Sequence, residues 1–126
     1  MSGERVLVVD DHPANTKLVT FVLQARGYVV VSAASAEEAL TELEREVPAL
    51  ILMDVQLPGT DGLELTRRLR TDDRFASLPI VAVTAYAMAR DEQAAYAAGC
   101  NAFVSKPIDT RALGELVGRL LREANP

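Results

Sequence analysis

Residues 49–54, ALILMD, form a continuous apolar run that ends in one aspartate. Polar and apolar residues do not alternate in this run, which is typical of a strand buried on both faces of a parallel sheet. Four more short apolar runs lie along the chain, at residues 5–10 (RVLVVD), 28–33 (YVVVSA), 79–84 (PIVAVT) and 102–106 (AFVSK). The five runs predict five short strands.

The segments between these runs have the apolar spacing of helices. The predicted helices span residues 16–25, 35–46, 62–70 and 88–98, and a last one carries the stripe from Leu113 to Leu120. Leu18, Val19, Val22 and Leu23 are expected on the buried stripe of the first helix. Strand and helix alternate five times, which predicts an α/β fold. We expect a doubly wound, five-stranded parallel sheet of order 2-1-3-4-5 with five helices, the flavodoxin-like or CheY-like arrangement.

Composition narrows the class of protein. The length of 126 residues fits one domain, residues 1–126, with no output domain. The net charge of -5 disfavours binding to nucleic acid or to an anionic membrane. The single cysteine, Cys100, excludes a disulfide framework and a cysteine zinc site. There is no apolar run of the ~20 residues that a membrane span needs and no signal peptide, so a soluble, cytoplasmic protein is expected.

Polar residues stand where the predicted strands end. The first run ends in Asp10-Asp11, the third in Asp54, the fourth in Thr84 and the fifth in Lys106. Carboxyl ends of parallel strands share one edge of the sheet, so these side chains should converge. Clustered carboxylates repel unless a cation intervenes, and an oxygen-only ligand set favours Mg²⁺. Such a site suits a phosphoryl group, and Asp54 is the best candidate nucleophile.

Other polar residues have simpler interpretations. His12, which follows the acid pair, is expected as a turn residue at the start of the first helix. Cys100 is expected as a small apolar residue that enters the fifth strand. Arg67, Arg68 and Arg70 are expected to form a solvated charge run on the third helix.

The chain resembles the receiver domains of two-component response regulators along essentially its whole length. The residues that carry the resemblance are Asp10-Asp11, Asp54, Thr84, Phe103 and Lys106-Pro107. The segments LILMDVQLPGTDGLEL, VAVTAYAM and AGCNAFVSKPI are most similar to DivK-type single-domain regulators and to the receivers of hybrid histidine kinases.

The resemblance implies a role for each site residue. Asp54 would be phosphorylated, and Lys106 would pair first with Asp54 and then with the phosphoryl group. The Mg²⁺ ligands would be Asp11, Asp54, the carbonyl of Gln56 and, through water, Asp10. Thr84 and Phe103 would move together as a switch that acts on the face formed by the fourth helix, the fifth strand and the fifth helix. Gln56 and Tyr86 would tune hydrolysis of the acyl phosphate, and the Lys106-Pro107 bond would be cis.

The resemblance also implies partners. The donor would be a histidine kinase or a histidine phosphotransfer protein, and a downstream protein would be the target of a monomer or weak dimer. A regulatory phosphoprotein rather than an enzyme is expected. The initiating Met favours a complete chain, but a phosphate shuttle or the excised receiver of a hybrid kinase would use the same residues.

Three other functions are open to the same architecture. A flavodoxin-type carrier would need a phosphate-cradling loop after the first strand, where this chain has the acidic DDHPAN. A phosphatase with an aspartate nucleophile usually has a second aspartate two residues further on, where this chain has Gln56. A receiver that signals without phosphorylation would not need the complete residue set.

Overall fold

The computed structural model describes residues 3–85 and 89–124. The strands are β1 (Arg5–Val9), β2 (Val29–Ala33), β3 (Leu50–Asp54), β4 (Gln56–Leu57), β5 (Thr60–Asp61), β6 (Ile80–Thr84) and β7 (Ala102–Ser105). The helices are α1 (Pro13–Ala25), α2 (Ala36–Arg45), α3 (Gly62–Arg70), α4 (Ala89–Ala98) and α5 (Thr110–Ala124). No helix in these two ranges is long and apolar enough to cross a bilayer.

Five strands form one parallel sheet of order β2-β1-β3-β6-β7. Since β6 and β7 are the fourth and fifth of the predicted strands, the predicted order 2-1-3-4-5 is confirmed. Every residue of β3 and β6 is buried, as continuous apolar runs require when helices cover both faces of a sheet. The predicted α/β class and its five helices are confirmed as well.

Alternate residues of the central strands point to opposite faces of the sheet. Leu7, Val9, Ile51 and Met53 pack into a core on the side of α2, α3 and α4. Val6, Val8, Leu50 and Leu52 pack on the other side, against α1 and α5. The two cores hold the carboxyl ends of β1 and β3 side by side, at the point where the strand order reverses.

Local signals explain the helix boundaries. The Ser35 hydroxyl accepts a hydrogen bond from Glu38 N at 3.1 Å, and this capping interaction begins α2. Helix α1 begins three residues earlier than predicted, because Pro13 stands at its first turn, where proline is favoured. Leu18 was expected on the buried stripe but is 41% exposed. Val19 and Leu23, four residues apart on one helix face, fill that side of the core instead.

A short hairpin, β4–β5, follows β3 and was not predicted. It returns the chain to Gly62, whose N–H donates to Val55 O at 2.8 Å. A Cβ at position 62 would collide with the backbone oxygen of Asp54. The absence of a side chain at Gly62 therefore lets α3 begin directly against the end of β3.

Arg70 corrects the interpretation of the arginine run. Its guanidinium is half-buried and donates to the carbonyls of Gly99 at 2.7 Å and Leu78 at 2.7 Å, and to Asn101 Oδ1 at 2.8 Å. The two carbonyls lie in the loops before β6 and β7, where a buried carbonyl needs a partner from outside the sheet ladder. Arg70 is thus a structural residue that ties α3 to the loops before β6 and β7, whereas Arg67 and Arg68 are exposed as expected.

Candidate functional site

The ends of four strands bring Asp10, Asp54, Thr84 and Lys106 to one edge of the sheet. Asp54 is 1% exposed, Thr84 3% and Asp10 8%. Lys106 Nζ lies 3.2 Å from Asp54 Oδ2 and 3.7 Å from Asp10 Oδ2. The structure therefore places two buried carboxylates around one ammonium group, with the Thr84 residue at the adjacent strand end.

Backbone groups fix the orientation of both carboxylates. Asp54 Oδ1 accepts from Gln56 N at 2.9 Å, and Asp10 Oδ1 accepts from His12 N at 2.8 Å. Lys106 N donates to Thr84 O at 2.7 Å, which continues the ladder between β6 and β7 to the residue that carries the ammonium group. The hydrogen bonds that Asp54 and Asp10 accept arise locally, because an aspartate side chain commonly accepts a hydrogen bond from the backbone N–H two residues further on.

The electrostatics of the site favour a further cation. Burial raises the pKa of the Asp54 carboxyl above its usual range, and the negative charge of Asp10 raises it further. The hydrogen bonds from Gln56 N and Lys106 oppose this rise without cancelling it. A carboxylate whose ionised form is disfavoured in this way gains from a nearby positive charge.

Asp11 and His12 complete the group. Within the described residues, Asp11 Oδ1 is buried and accepts no hydrogen bond, and the ion-pair contact it makes is with His12 Nδ1 at 3.2 Å. The donor atoms of Asp10, Asp11, His12 and Asp54 all lie within 4.8 Å of one another. Oxygen donors that converge on a point and include a carboxylate oxygen without a hydrogen bond fit a hard divalent cation.

His12 lies at the start of α1, as expected. It occupies the N-cap position, but its side chain makes no capping hydrogen bond. The imidazole instead turns toward the carboxylates, with Nδ1 3.1 Å from Asp10 Oδ1. The position of His12 beside an acid pair was the only sequence signal for this contact.

The remaining expected site residues are only partly described. Phe103 on β7 is partly buried and packs against the core on the α2–α3–α4 side of the sheet. Gln56 is exposed at the start of β4. The Lys106-Pro107 peptide bond is cis. Tyr86 lies outside the described residues. Cys100 is buried just before β7, as expected.

Comparison with known proteins gives the family. The family model for the response regulator receiver domain matches residues 6–118. The polar-differentiation response regulator DivK of Brucella anthropi is 40% identical over 119 residues, which cover 94% of this chain and 97% of DivK.

Solved structures of response regulators and receiver domains are similar in fold to this chain. A candidate response regulator from Chloroflexus aurantiacus superposes with a TM-score of 0.92 at 34% identity, covering 96% of this chain and 99% of that one. The receiver domain of a signal transduction histidine kinase from Syntrophus aciditrophicus gives a TM-score of 0.90 at 28% identity, covering 98% and 93%. The fold, the strand-end residues and these matches lead to one conclusion: the chain belongs to the response regulator receiver family, in its CheY and DivK type.

Proposed function

We propose that this protein receives a phosphoryl group on Asp54 and thereby regulates another protein. The observation that carries the proposal is the contact of Lys106 Nζ with Asp54 Oδ2 at 3.2 Å beside the acid pair. Asp54 is held by Gln56 N and faces a cation, so its position is fixed before a donor arrives. A preorganised carboxylate beside positive charge is what nucleophilic attack on phosphorus needs.

Asp10, Asp11, Asp54 and the backbone carbonyl of Gln56 are the proposed metal ligands. The carboxylate oxygen of Asp11 that has no hydrogen bond, and the three carboxylates that meet there, support Mg²⁺ at this site. When bound, the ion supplies positive charge that offsets the charge on the phosphoryl oxygens. Lys106 supplies the second positive charge from the end of β7.

The proposed transfer begins from a phosphohistidine of a histidine kinase or a phosphotransfer protein. A carboxylate oxygen of Asp54 forms a bond to phosphorus as the bond between phosphorus and the donor imidazole nitrogen breaks. The electron pair of the broken bond stays on the imidazole, and Asp54 becomes an acyl phosphate. Hydrolysis reverses the modification, and Gln56 and Tyr86, two positions after Asp54 and Thr84, are the residues proposed to limit access of water.

The proposed response to phosphorylation involves Thr84 and Phe103. Thr84 is buried at the end of β6, and Phe103 is partly buried on the neighbouring strand β7. A shift of the Thr84 hydroxyl toward the phosphoryl group would open space for Phe103 to turn inward. The two side chains would thus bias the α4–β7–α5 face between two arrangements that a target protein can distinguish.

The same proposal covers the role of the chain in its pathway. The protein acts by contact with a downstream target, as a monomer or weak dimer, and its only chemistry is its own phosphorylation and dephosphorylation. A cytoplasmic location is part of the proposal, since a receiver must meet the kinase domain that phosphorylates it. A phosphate shuttle would differ from this adaptor role by passing the group on to a second histidine.

The test is incubation of the protein with a small phosphodonor and Mg²⁺, followed by intact mass measurement. Wild type should gain the mass of one phosphoryl group, and Asp54→Asn should gain none. The matched control is Asp73→Asn, because Asp73 is an exposed acid in the loop after α3. Unmodified wild-type protein that is folded and saturated with Mg²⁺ would refute the proposal, as would modification of Asp54→Asn at the wild-type level.

A further inference from the structure

The imidazole of His12 lies among the carboxylates that are proposed to hold the metal. Its Nδ1 atom is 3.1 Å from Asp10 Oδ1, 3.2 Å from Asp11 Oδ1 and 3.7 Å from Asp54 Oδ2. One nitrogen thus approaches all three carboxylates. The ring therefore faces Asp54, which lies 42 positions further along the chain, as well as the neighbouring Asp10 and Asp11.

These distances are those between neighbouring ligand atoms of a metal ion. Metal bonds to nitrogen and oxygen are about 2.0–2.2 Å long, so adjacent ligand atoms around one ion lie about 3.0–3.5 Å apart. Two of the three His12 distances lie within this range, and the third exceeds it by 0.2 Å. A small outward movement of the carboxylates would therefore place one ion in contact with all four residues.

We infer that His12 is a metal ligand and that it shifts the preference of the acidic site from Mg²⁺ toward divalent transition-metal ions, of which Mn²⁺ is the one used as a probe. The inference rests on the proposed function, because it takes the acidic site to be a metal site. Imidazole suits Zn²⁺ and the later transition metals best, and Mn²⁺ binds most readily to oxygen ligands but accepts a nitrogen ligand more easily than Mg²⁺, which takes oxygen ligands almost alone. The ring is 58% exposed. A neutral imidazole has two ring nitrogens, so Nδ1 can bind the ion while Nε2 carries the proton.

The chain offers an unambiguous probe of this ligand, since it contains a single histidine. The protein without a histidine tag is loaded with Mn²⁺, and electron spin echo envelope modulation is recorded. A directly bound imidazole gives ¹⁴N modulation. Incorporation of ¹⁵N-histidine alone should replace that modulation with the ¹⁵N pattern, because His12 is the only residue labelled. The His12→Asn variant keeps a residue favoured at the N-cap and should lose the imidazole modulation.

Affinity provides a second readout. Titration of wild type with Mn²⁺ and with Mg²⁺ should show an Mn²⁺/Mg²⁺ affinity ratio that falls about tenfold or more in His12→Asn, given what loss of a metal-site group usually costs. His12→Ala should behave in the same way. Glu115→Gln, which removes an exposed acid on α5, should leave the ratio unchanged.

Three results would contradict the role of His12 as a metal ligand. Bound Mn²⁺ without imidazole modulation, an unchanged affinity ratio in His12→Asn, or no measurable Mn²⁺ binding would each overturn the inference. Phosphorylation of Asp54 is scored separately by intact mass. A protein that is phosphorylated but shows no imidazole coupling refutes only the role of His12, whereas imidazole coupling in a protein that is never phosphorylated refutes only the proposed function.

Discussion

Lys106 Nζ and Asp54 Oδ2 lie 3.2 Å apart although 52 positions separate the two residues in the chain. The contact exists because β3, β6 and β7 are neighbours and all end at the same edge of the sheet. The Lys106 side chain is 16% exposed and that of Asp54 is 1% exposed. The ammonium group therefore compensates two carboxylates, Asp54 and Asp10, that have little contact with water.

Removal of this ammonium group should destabilise the metal-free protein. Lys106→Met leaves Asp54 and Asp10 buried with no ammonium group beside them, and loss of one partner of a buried pair costs about 3–5 kcal/mol. We expect about 2–3 kcal/mol, because Lys106 keeps some solvent contact. Urea unfolding in the presence of a chelator measures the loss. Lys17→Met, which changes the other lysine of the chain on the exposed side of α1, should have little effect. Equal stability of the two variants would contradict the prediction.

Neutralisation of Asp54 should have the opposite effect in the metal-free protein. Asp54→Asn removes a carboxylate whose pKa burial raises, and keeps an acceptor for Gln56 N. We expect a gain of about 1 kcal/mol at neutral pH. The folded state binds the Asp54 proton more tightly than the unfolded state, where the pKa is near 3.8. The wild-type protein therefore loses stability as pH rises from that value through the raised pKa.

The pH dependence provides the check on this second prediction. The advantage of Asp54→Asn should be complete above the folded-state pKa of Asp54 and should vanish once pH falls below about 3.8. Chelator-treated wild type and variant are compared by urea unfolding across this range. A difference that does not change with pH would show that the charge of Asp54 is not its source.

Arg70 should be the most important arginine for stability. Arg70→Ala leaves the carbonyls of Gly99 and Leu78 without their donor and removes the half-buried side-chain stem. We expect a loss of about 2–4 kcal/mol in the free energy of unfolding. Arg67→Ala, three positions earlier, breaks only the exposed pair with Glu64 and should cost less than about 0.5 kcal/mol. Denaturant unfolding of both variants tests the contrast, which similar losses would refute.

Two glycines should respond in opposite directions to the same substitution. Gly62→Ala places a Cβ against the backbone of Asp54 and should lower both the melting temperature and the rate of Asp54 phosphorylation. Gly118→Ala meets the flexible end of Arg122 at 3.3 Å and, at the ordinary contact distance of 3.6 Å, the Tyr28 hydroxyl, and it lies within α5, so it should stabilise by up to about 1 kcal/mol. Thermal unfolding and intact mass compare the two. If Gly62→Ala is as stable and as readily phosphorylated as wild type, the backbone at Asp54 moves to accommodate the added Cβ, and the prediction is wrong.

The sequence predicted the sheet because its signals are local. Continuous apolar runs mark buried strands, and the residue at which each run ends fixes which side chains share an edge. The hairpin β4–β5 could not be predicted, because strands of two residues have no periodicity to detect. Pro58 and Gly59, which form the turn between the two strands, are common turn residues, but they do not indicate the pairing.

The contacts of the Arg70 guanidinium and of the His12 ring were missed for a different reason. In the sequence, Arg70 is indistinguishable from its exposed neighbours Arg67 and Arg68. Its acceptors, Gly99 and Asn101, come close only after α3 and α4 have packed on the same face of the sheet. The direction of the His12 ring likewise depends on Asp54, which a different strand provides. Partners that are distant in sequence and are not strand ends leave no pattern in the sequence.

The anchoring of Gly99 by Arg70 has a mechanical consequence. The guanidinium holds Gly99, which follows α4, and Asn101, two positions later, to the end of α3. The carboxyl end of α4 is therefore anchored. A rearrangement of this helix is expected to have its largest amplitude at the amino end, near Ala89. A displacement that begins beside Thr84 would reach α4 at this amino end, and not at the anchored end.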